Sequence, residues 1–204
     1  MKKVYVLLMA VLLCAMMLSA CGGGASGSPA VSENPLLIPP VNASRPDTSS
    51  LAGGAGSATV PPLCSGAQDT NTAAYATEVV RLINVQRSNY NLTNLATQTN
   101  IRNAAQKHTI DMACHFFVSH TGSDNSLLED RLDSFGYFWL VAGENIAAGY
   151  STPSAVVTAW MNSTSGHREN ILDPEYTEIG VGYVYNPNDT TRQYHYWTLD
   201  LGTR

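Results

Sequence analysis

The chain has 204 residues, 13% of them charged, and a formal net charge of −5. From Cys64 to the C-terminus there are eight Lys/Arg against fourteen Asp/Glu and no basic run. Nucleic-acid affinity rests on cations neutralising phosphates, so this composition excludes nucleic acid as a partner. The length suits one ordinary domain plus a tail.

At the N-terminus, Lys2-Lys3 precede an apolar run from Val4 to Leu18, then Leu18-Ser19-Ala20-Cys21 and Gly22-Gly23-Gly24. That run is shorter than the roughly 20 residues a spanning helix needs, so residues 1–20 read as a signal peptide. Leu-Ser-Ala-Cys resembles the bacterial lipobox, which makes Cys21 the lipidated first residue of the mature chain and the membrane its partner. The other reading is an ordinary secretory signal that contains a cysteine. Position 22 is Gly and not the Asp that retains many lipoproteins in the inner membrane. In a Gram-negative cell this favours the outer membrane. Cys14 leaves with the signal; Cys64 and Cys114 remain, an even number in an exported chain, and are expected to form a disulfide.

Residues 21–63 are expected to be a lipidated N-terminus followed by a disordered tether. Between Gly22 and Pro62 lie seven of the ten prolines with many Gly, Ser and Ala, and no helix or strand period is sustained. Such a stretch buries too little apolar surface to offset its conformational entropy. The folded domain is expected over residues 64–204.

Within it, Asn71 or Thr72 caps a helix with Tyr75, Val79, Leu82 and Ile83 at helical spacing, ending near Ser88-Asn89. A second helix runs from about Gln98 to His115 with Ile101, Ala104, Ala105, His108 and Met112 on one face. His108 lies on the apolar stripe, where a bonded core histidine is the ordinary outcome, and His115 reads as a surface residue. A short helix carries Leu128, Leu132 and Phe135 and closes at Gly136. Tyr137 to Val141 reads as a buried strand leading into Gly143-Glu144-Asn145. Thr152-Pro153 opens a helix with Val156, Val157 and Trp160 inward, and a loop beyond Gly166 delivers His167. Ile179 to Tyr185 and Tyr194 to Thr198 alternate as a long-looped antiparallel hairpin. This order of elements indicates an α+β layered domain.

Gly143-Glu144-Asn145-Ile146, Ala159-Trp160-Met161-x-Ser163, Gly166-His167-Arg168-x-Asn170-Ile171-Leu172 and Ile179-Gly180-Val181-Gly182 together resemble the bacterial branch of the CAP superfamily, the cysteine-rich secretory, antigen 5 and pathogenesis-related 1 proteins, or SCP domains. The resemblance covers roughly residues 73–202. It implies a three-layer α-β-α sandwich with a mainly antiparallel central sheet and a large cleft. In the family, two histidines and two acids line that cleft and in some members hold a divalent metal. Carried over, the histidines are His120 and His167 and the first acid is Glu144. The second acid, three positions after the tryptophan, is replaced by Ser163.

Three protein ligands suit catalytic zinc, which keeps one position for water. A hydrolase also needs a base and oxyanion donors, and neither is identifiable. Glu169, the nearest spare carboxylate, reads as a surface or helix-cap group, and no Gly-x-Ser-x-Gly motif is present. Alternatively, His120, His167 and Glu144 form a buried polar network that fixes the cleft, while Asn145, Arg168 and Asn170 tie loops together. The leading expectation is a lipid-anchored envelope module whose polar cleft binds a small or apolar ligand or an envelope partner, with zinc or another divalent cation as a candidate occupant. A metal-dependent peptidase or cell-wall hydrolase, and a structural envelope protein without a ligand, are the alternatives.

Overall fold

The computed structural model of the chain describes residues 35–45 and 58–204. The signal peptide and the Cys21 lipidation site lie outside these residues. Among the described residues no helix is long and apolar enough to cross a membrane.

The sheet has five strands: β1 (Leu36–Ser44), β2 (Ala96–Thr97), β3 (Val141–Ala148), β4 (Glu178–Tyr185) and β5 (His195–Thr203). Their order is β1-β3-β5-β4-β2, antiparallel throughout except for the short β2–β4 pair. The helices are α1 (Thr72–Asn89), α2 (Thr99–His115), α3 (Leu128–Ser134), α4 (Pro153–Asn162) and α5 (His167–Ile171). The expected α+β fold with a mainly antiparallel sheet is the one observed.

Each face of the sheet is covered because β4 and β5 alternate between two apolar sets. Val181, Tyr183, Trp197, Leu199 and Leu201 meet Val79 and Ile83 of α1 and Val156 and Trp160 of α4. On the other face, Ile146, Val184 and Tyr196 meet Ile110, Met112 and Ala113 of α2. Leu128 and Leu132 of α3 close the layer against Ile101 and Ala104. Trp160 is wholly buried, and truncating a side chain of that kind costs about 3–5 kcal/mol. The α2 helix lies directly on β4 because position 182 has no side chain; a Cβ there would collide with Thr109 and the Ala105 backbone.

Local signals explain the helix boundaries. The Gln98 side chain accepts from the Asn100 N–H to start α2, and left-handed Phe116 ends it. The Thr152 hydroxyl accepts from the Ala155 N–H with Pro153 in the first turn of α4. Gly136, with φ of 74°, follows α3. The Cys64–Cys114 disulfide is formed, fastening the chain before α1 to the end of α2.

Three expectations are corrected. Leu36–Ser44, placed in the disordered tether, is an edge strand paired antiparallel with β3. Ala58 and Val60 also pack on the core, so the folded unit does not begin at Cys64. Tyr137–Leu140 is not a strand: β3 starts at Val141 and carries Glu144 mid-strand. His167 is the first residue of α5, not part of a loop.

Candidate functional site

The cleft is built at the β1–β3 edge. In the ladder Ile38 faces Ile146 and Val41 faces Glu144, so Pro39 and Pro40 together oppose Asn145 alone. Two residues against one is a β-bulge, and proline suits it because the missing N–H leaves no ladder donor unpaired.

Both histidines close on this bulge. His120, in the α2–α3 connection, donates from Nε2 to the Pro39 carbonyl at 2.6 Å. His167, opening α5, donates from Nε2 to the Ile38 carbonyl at 2.6 Å. Consecutive carbonyls of one strand are thus held by two imidazoles, one from each helical layer.

The other nitrogen of each ring fixes its protonation pattern. His167 Nδ1 is 2.8 Å from Ser163 Oγ. Since the Ile38 carbonyl only accepts, Nε2 carries the proton. Burial pushes the His167 pKa down, so the ring is neutral and Nδ1 accepts from the Ser163 hydroxyl. Ser163 Oγ in turn accepts from the Ser165 N–H at 3.1 Å. His120 Nδ1 faces Glu144 Oε1 at 2.7 Å. Both partners of that ring are acceptors, so both bonds are made together only with a proton on each nitrogen.

Glu144 is fully buried and its second oxygen, Oε2, accepts from Arg131 Nη2 at 2.7 Å. Arg131, 1% exposed, also donates to the carbonyls of His120 and Ser126. Burial alone would raise the Glu144 pKa. His108 where it is protonated, the Arg131 charge and the bond from His120 outweigh it and hold the carboxyl well below its ordinary range. Directly opposite Glu144 in the β3–β5 ladder lies Asp200, fully buried. Neither of its oxygens accepts a hydrogen bond, and Glu144 is the group its carboxyl faces. Burial, then the Glu144 charge, pushes its pKa well up, and the proton so held donates a hydrogen bond to Glu144. His108 is buried behind the site and donates from Nε2 to the Ser119 carbonyl at 2.8 Å.

The placement of α5 depends on two residues outside it, Asn145 and Arg87. Asn145 donates to the His167 carbonyl at 3.1 Å and accepts from Asn170 Nδ2 at 2.9 Å. Arg87 of α1, 1% exposed, donates to the carbonyls of Ile171, Asp173 and Tyr176 at the end of α5 and beyond it. Arg168 reaches away from the cleft to the Tyr90 hydroxyl at 2.7 Å, and Glu169 is exposed in the first turn of α5.

His120 and Glu144 are therefore in direct contact. His167 reaches the same strand through the neighbouring carbonyl and Ser163 supports it from behind. The set does not fit a cation as placed: a metal takes a nitrogen lone pair, whereas both Nε2 atoms present protons to carbonyls. Among the described residues no group of three or more His, Cys, Asp or Glu is arranged to hold a metal ion. Sequence reasoning passed over Arg87, Arg131 and Asp200. For Asp200 the signal was a carboxylate on the inward repeat Tyr196, Thr198, Asp200 of a strand with both faces covered.

The model of the cysteine-rich secretory protein family, CAP, matches residues 80–201. The chain is 39% identical over 125 residues to the uncharacterized protein YkwD of Bacillus subtilis, covering 61% of this chain and 48% of that one. It is 35% identical over 105 residues to the uncharacterized membrane protein YlbC of the same organism, covering 52% and 30%. The chain thus spans about half or less of the length of these curated relatives. Among solved structures, an extracellular SCP-domain protein of Bacillus anthracis superposes with a TM-score of 0.59 at 29% identity, covering 71% of this chain and 45% of that one. An outer surface protein of Borrelia burgdorferi superposes at 0.56 and 20% identity, covering 63% and 91%, a likeness of fold alone. With its family model spanning more than half of the residues, this chain belongs to the CAP, or cysteine-rich secretory protein, family.

Proposed function

We propose that the protein is exported to the bacterial cell envelope, anchored by lipid on Cys21, and that its CAP cleft binds a ligand without transforming it. The observation that carries the reading is the proton on His167 Nε2, set by Ser163 at Nδ1 and directed at a main-chain carbonyl. With a carboxylate in place of Ser163, Nδ1–H would donate to it and Nε2 would offer a lone pair to a metal. A hydroxyl that donates to Nδ1 reverses those roles and turns the ring into a hydrogen-bond donor for a ligand. Glu144 is spent on His120 and Arg131, which leaves it no part as a general base. Export agrees with the signal-like N-terminus and with the extracellular SCP-domain protein of Bacillus anthracis.

The test has two arms. Cys21→Ser moves the protein from the membrane fraction to the soluble one if the anchor is lipid. The purified protein is then incubated with a peptide library and cell-wall fragments, with and without added zinc. The reading expects no turnover. Hydrolysis abolished by chelation and by His167→Ala with the fold intact would install the metal-dependent hydrolase in its place.

A further inference from the structure

Leu36–Ser44 is held in the cleft by its main chain and by partial packing of Leu37, Ile38, Val41 and Ala43 against the core. None of its nine side chains is fully buried. Its directional contacts are the β3 ladder and the two imidazole N–H groups on the Ile38 and Pro39 carbonyls. From Pro35 to Ser44 it carries no charge. Three glycines of the receptor face lie bare beneath it. A Cβ on Gly166 would stand 3.0 Å from Pro40 Cγ, one on Gly143 3.0 Å from Asn42 Oδ1, and one on Gly149 2.8 Å from Pro35 Cα. Beside Val41–Ala43 a groove of about 290 Å³, walled by His120, Leu127 and Leu128, leaves room for larger side chains.

We propose that this cleft is a receptor for an extended, uncharged, diproline-containing peptide of another polypeptide, and that Leu36–Ser44 is its resident occupant. The inference deepens, and rests on, the reading of the cleft as a binding site. Strand addition draws affinity from the main chain and specificity from a few side-chain positions, so a site that grips carbonyls and an open strand edge accepts other sequences of the same shape. The specificity element is the Pro-Pro step. It makes the two-against-one bulge without orphaning a donor and turns successive carbonyls to the two rings. The resident strand is joined to the domain through residues 46–57. Because strand and receptor belong to one chain, their pairing is intramolecular, with an effective concentration on the order of millimolar. A competing peptide therefore enters only when it binds tightly enough to exceed that threshold.

The test uses the full chain with Cys21→Ser and a specific protease site placed within residues 46–57. A fluorescent peptide with the sequence of residues 35–44 is titrated by anisotropy before and after scission, and release of the N-terminal fragment is followed by size exclusion. The expected result is at least a tenfold gain in peptide binding on scission. It falls at least tenfold with His167→Ala or with a peptide carrying Pro39→Ala and Pro40→Ala. A fragment that a large excess of peptide does not displace over days, or whose departure unfolds the domain by circular dichroism, makes the strand part of the fold and overturns the proposal. Departure with the fold intact and no peptide binding overturns it too. An intact chain that is dimeric by light scattering, and monomeric after scission, makes a second copy the occupant and also overturns it. Mass spectrometry of the bound peptide separates this inference from the function on which it rests. Peptide bound and recovered whole supports both, peptide bound and cleaved keeps the ligand class but ends the binding-only reading, and no binding ends the ligand class alone.

Discussion

His167 Nε2 and the Ile38 carbonyl meet at 2.6 Å although 129 positions separate them in the chain. With the bond from His120 to Pro39, this contact turns a segment with the composition of a tether into part of the cleft wall.

Ser163 decides what His167 offers. In Ser163→Glu, Nδ1–H faces a carboxylate and Nε2 gains a free lone pair, restoring the acid of the family pattern. Calorimetric titration of the full Cys21→Ser chain with zinc is expected to show at least tenfold tighter binding in S163E than with Ser163 retained. Equal binding would remove the serine from its role in setting the tautomer.

Arg131 compensates a carboxylate that has no contact with water. Arg131→Met leaves Glu144 uncompensated in the interior and is expected to cost about 3–5 kcal/mol in urea unfolding. Adding Glu144→Gln to R131M is expected to recover a large part of that loss, because the charge that needed a partner is gone. A double variant as unstable as the single would contradict the pairing.

Asp200 is the opposite case. Its pKa is raised in the fold, so the folded state holds a proton that the unfolded chain gives up above its ordinary value near 4. That difference costs stability as pH rises from there. Asp200→Asn removes it, so D200N is expected to exceed the Asp200 protein in stability at pH 8, with the margin shrinking towards pH 4. A margin independent of pH would show that Asp200 is ionised in the fold.

His108 sets an acid limit. Burial pushes its pKa down to about 4, while an unfolded histidine titrates near 6.5. Below about pH 6.5 the unfolded state takes up a proton that the folded state refuses. The stability this group contributes is therefore complete above that value and lost as pH falls towards 4. Its size is on the order of 3 kcal/mol. The difference in unfolding free energy between the His108 protein and His108→Gln, measured from pH 7.5 to 4, is expected to shift by that amount against the His108 protein. A flat difference would refute it.

Much of this fold was legible from local signals. The starts of α2 and α4 follow from caps at Gln98 and Thr152, α1 from apolar residues at helical spacing without a side-chain cap bond from Asn71, and the β4–β5 hairpin from period-two alternation. The pairing of Cys64 with Cys114 was likewise readable, from cysteine number in an exported chain. β1 was not, because an edge strand held by its main chain needs no alternation of buried side chains, and Pro39-Pro40 reads as a breaker unless the bulge opposite Asn145 is known. Glu144 was singled out at the end of a strand when it lies in the middle of one, since Tyr137 and Trp139 are buried without belonging to a strand. Arg131 escaped notice because an arginine beside Leu132 in a short helix usually points to solvent. Only the three-dimensional approach of α3 to β3 gives it Glu144.

The most direct test of the cleft is nitrogen-15 NMR of the histidine side chains in the full Cys21→Ser chain at pH 7. The predicted result is His167 as a single neutral tautomer protonated at Nε2, with a slowly exchanging ring proton and scalar coupling across the hydrogen bond to the Ile38 carbonyl. A ring protonated at Nδ1, or one averaging between tautomers with its proton in fast exchange, would contradict the account: Ser163 would not set the proton, and the strand from Leu36 to Ser44 would not be seated on the histidine.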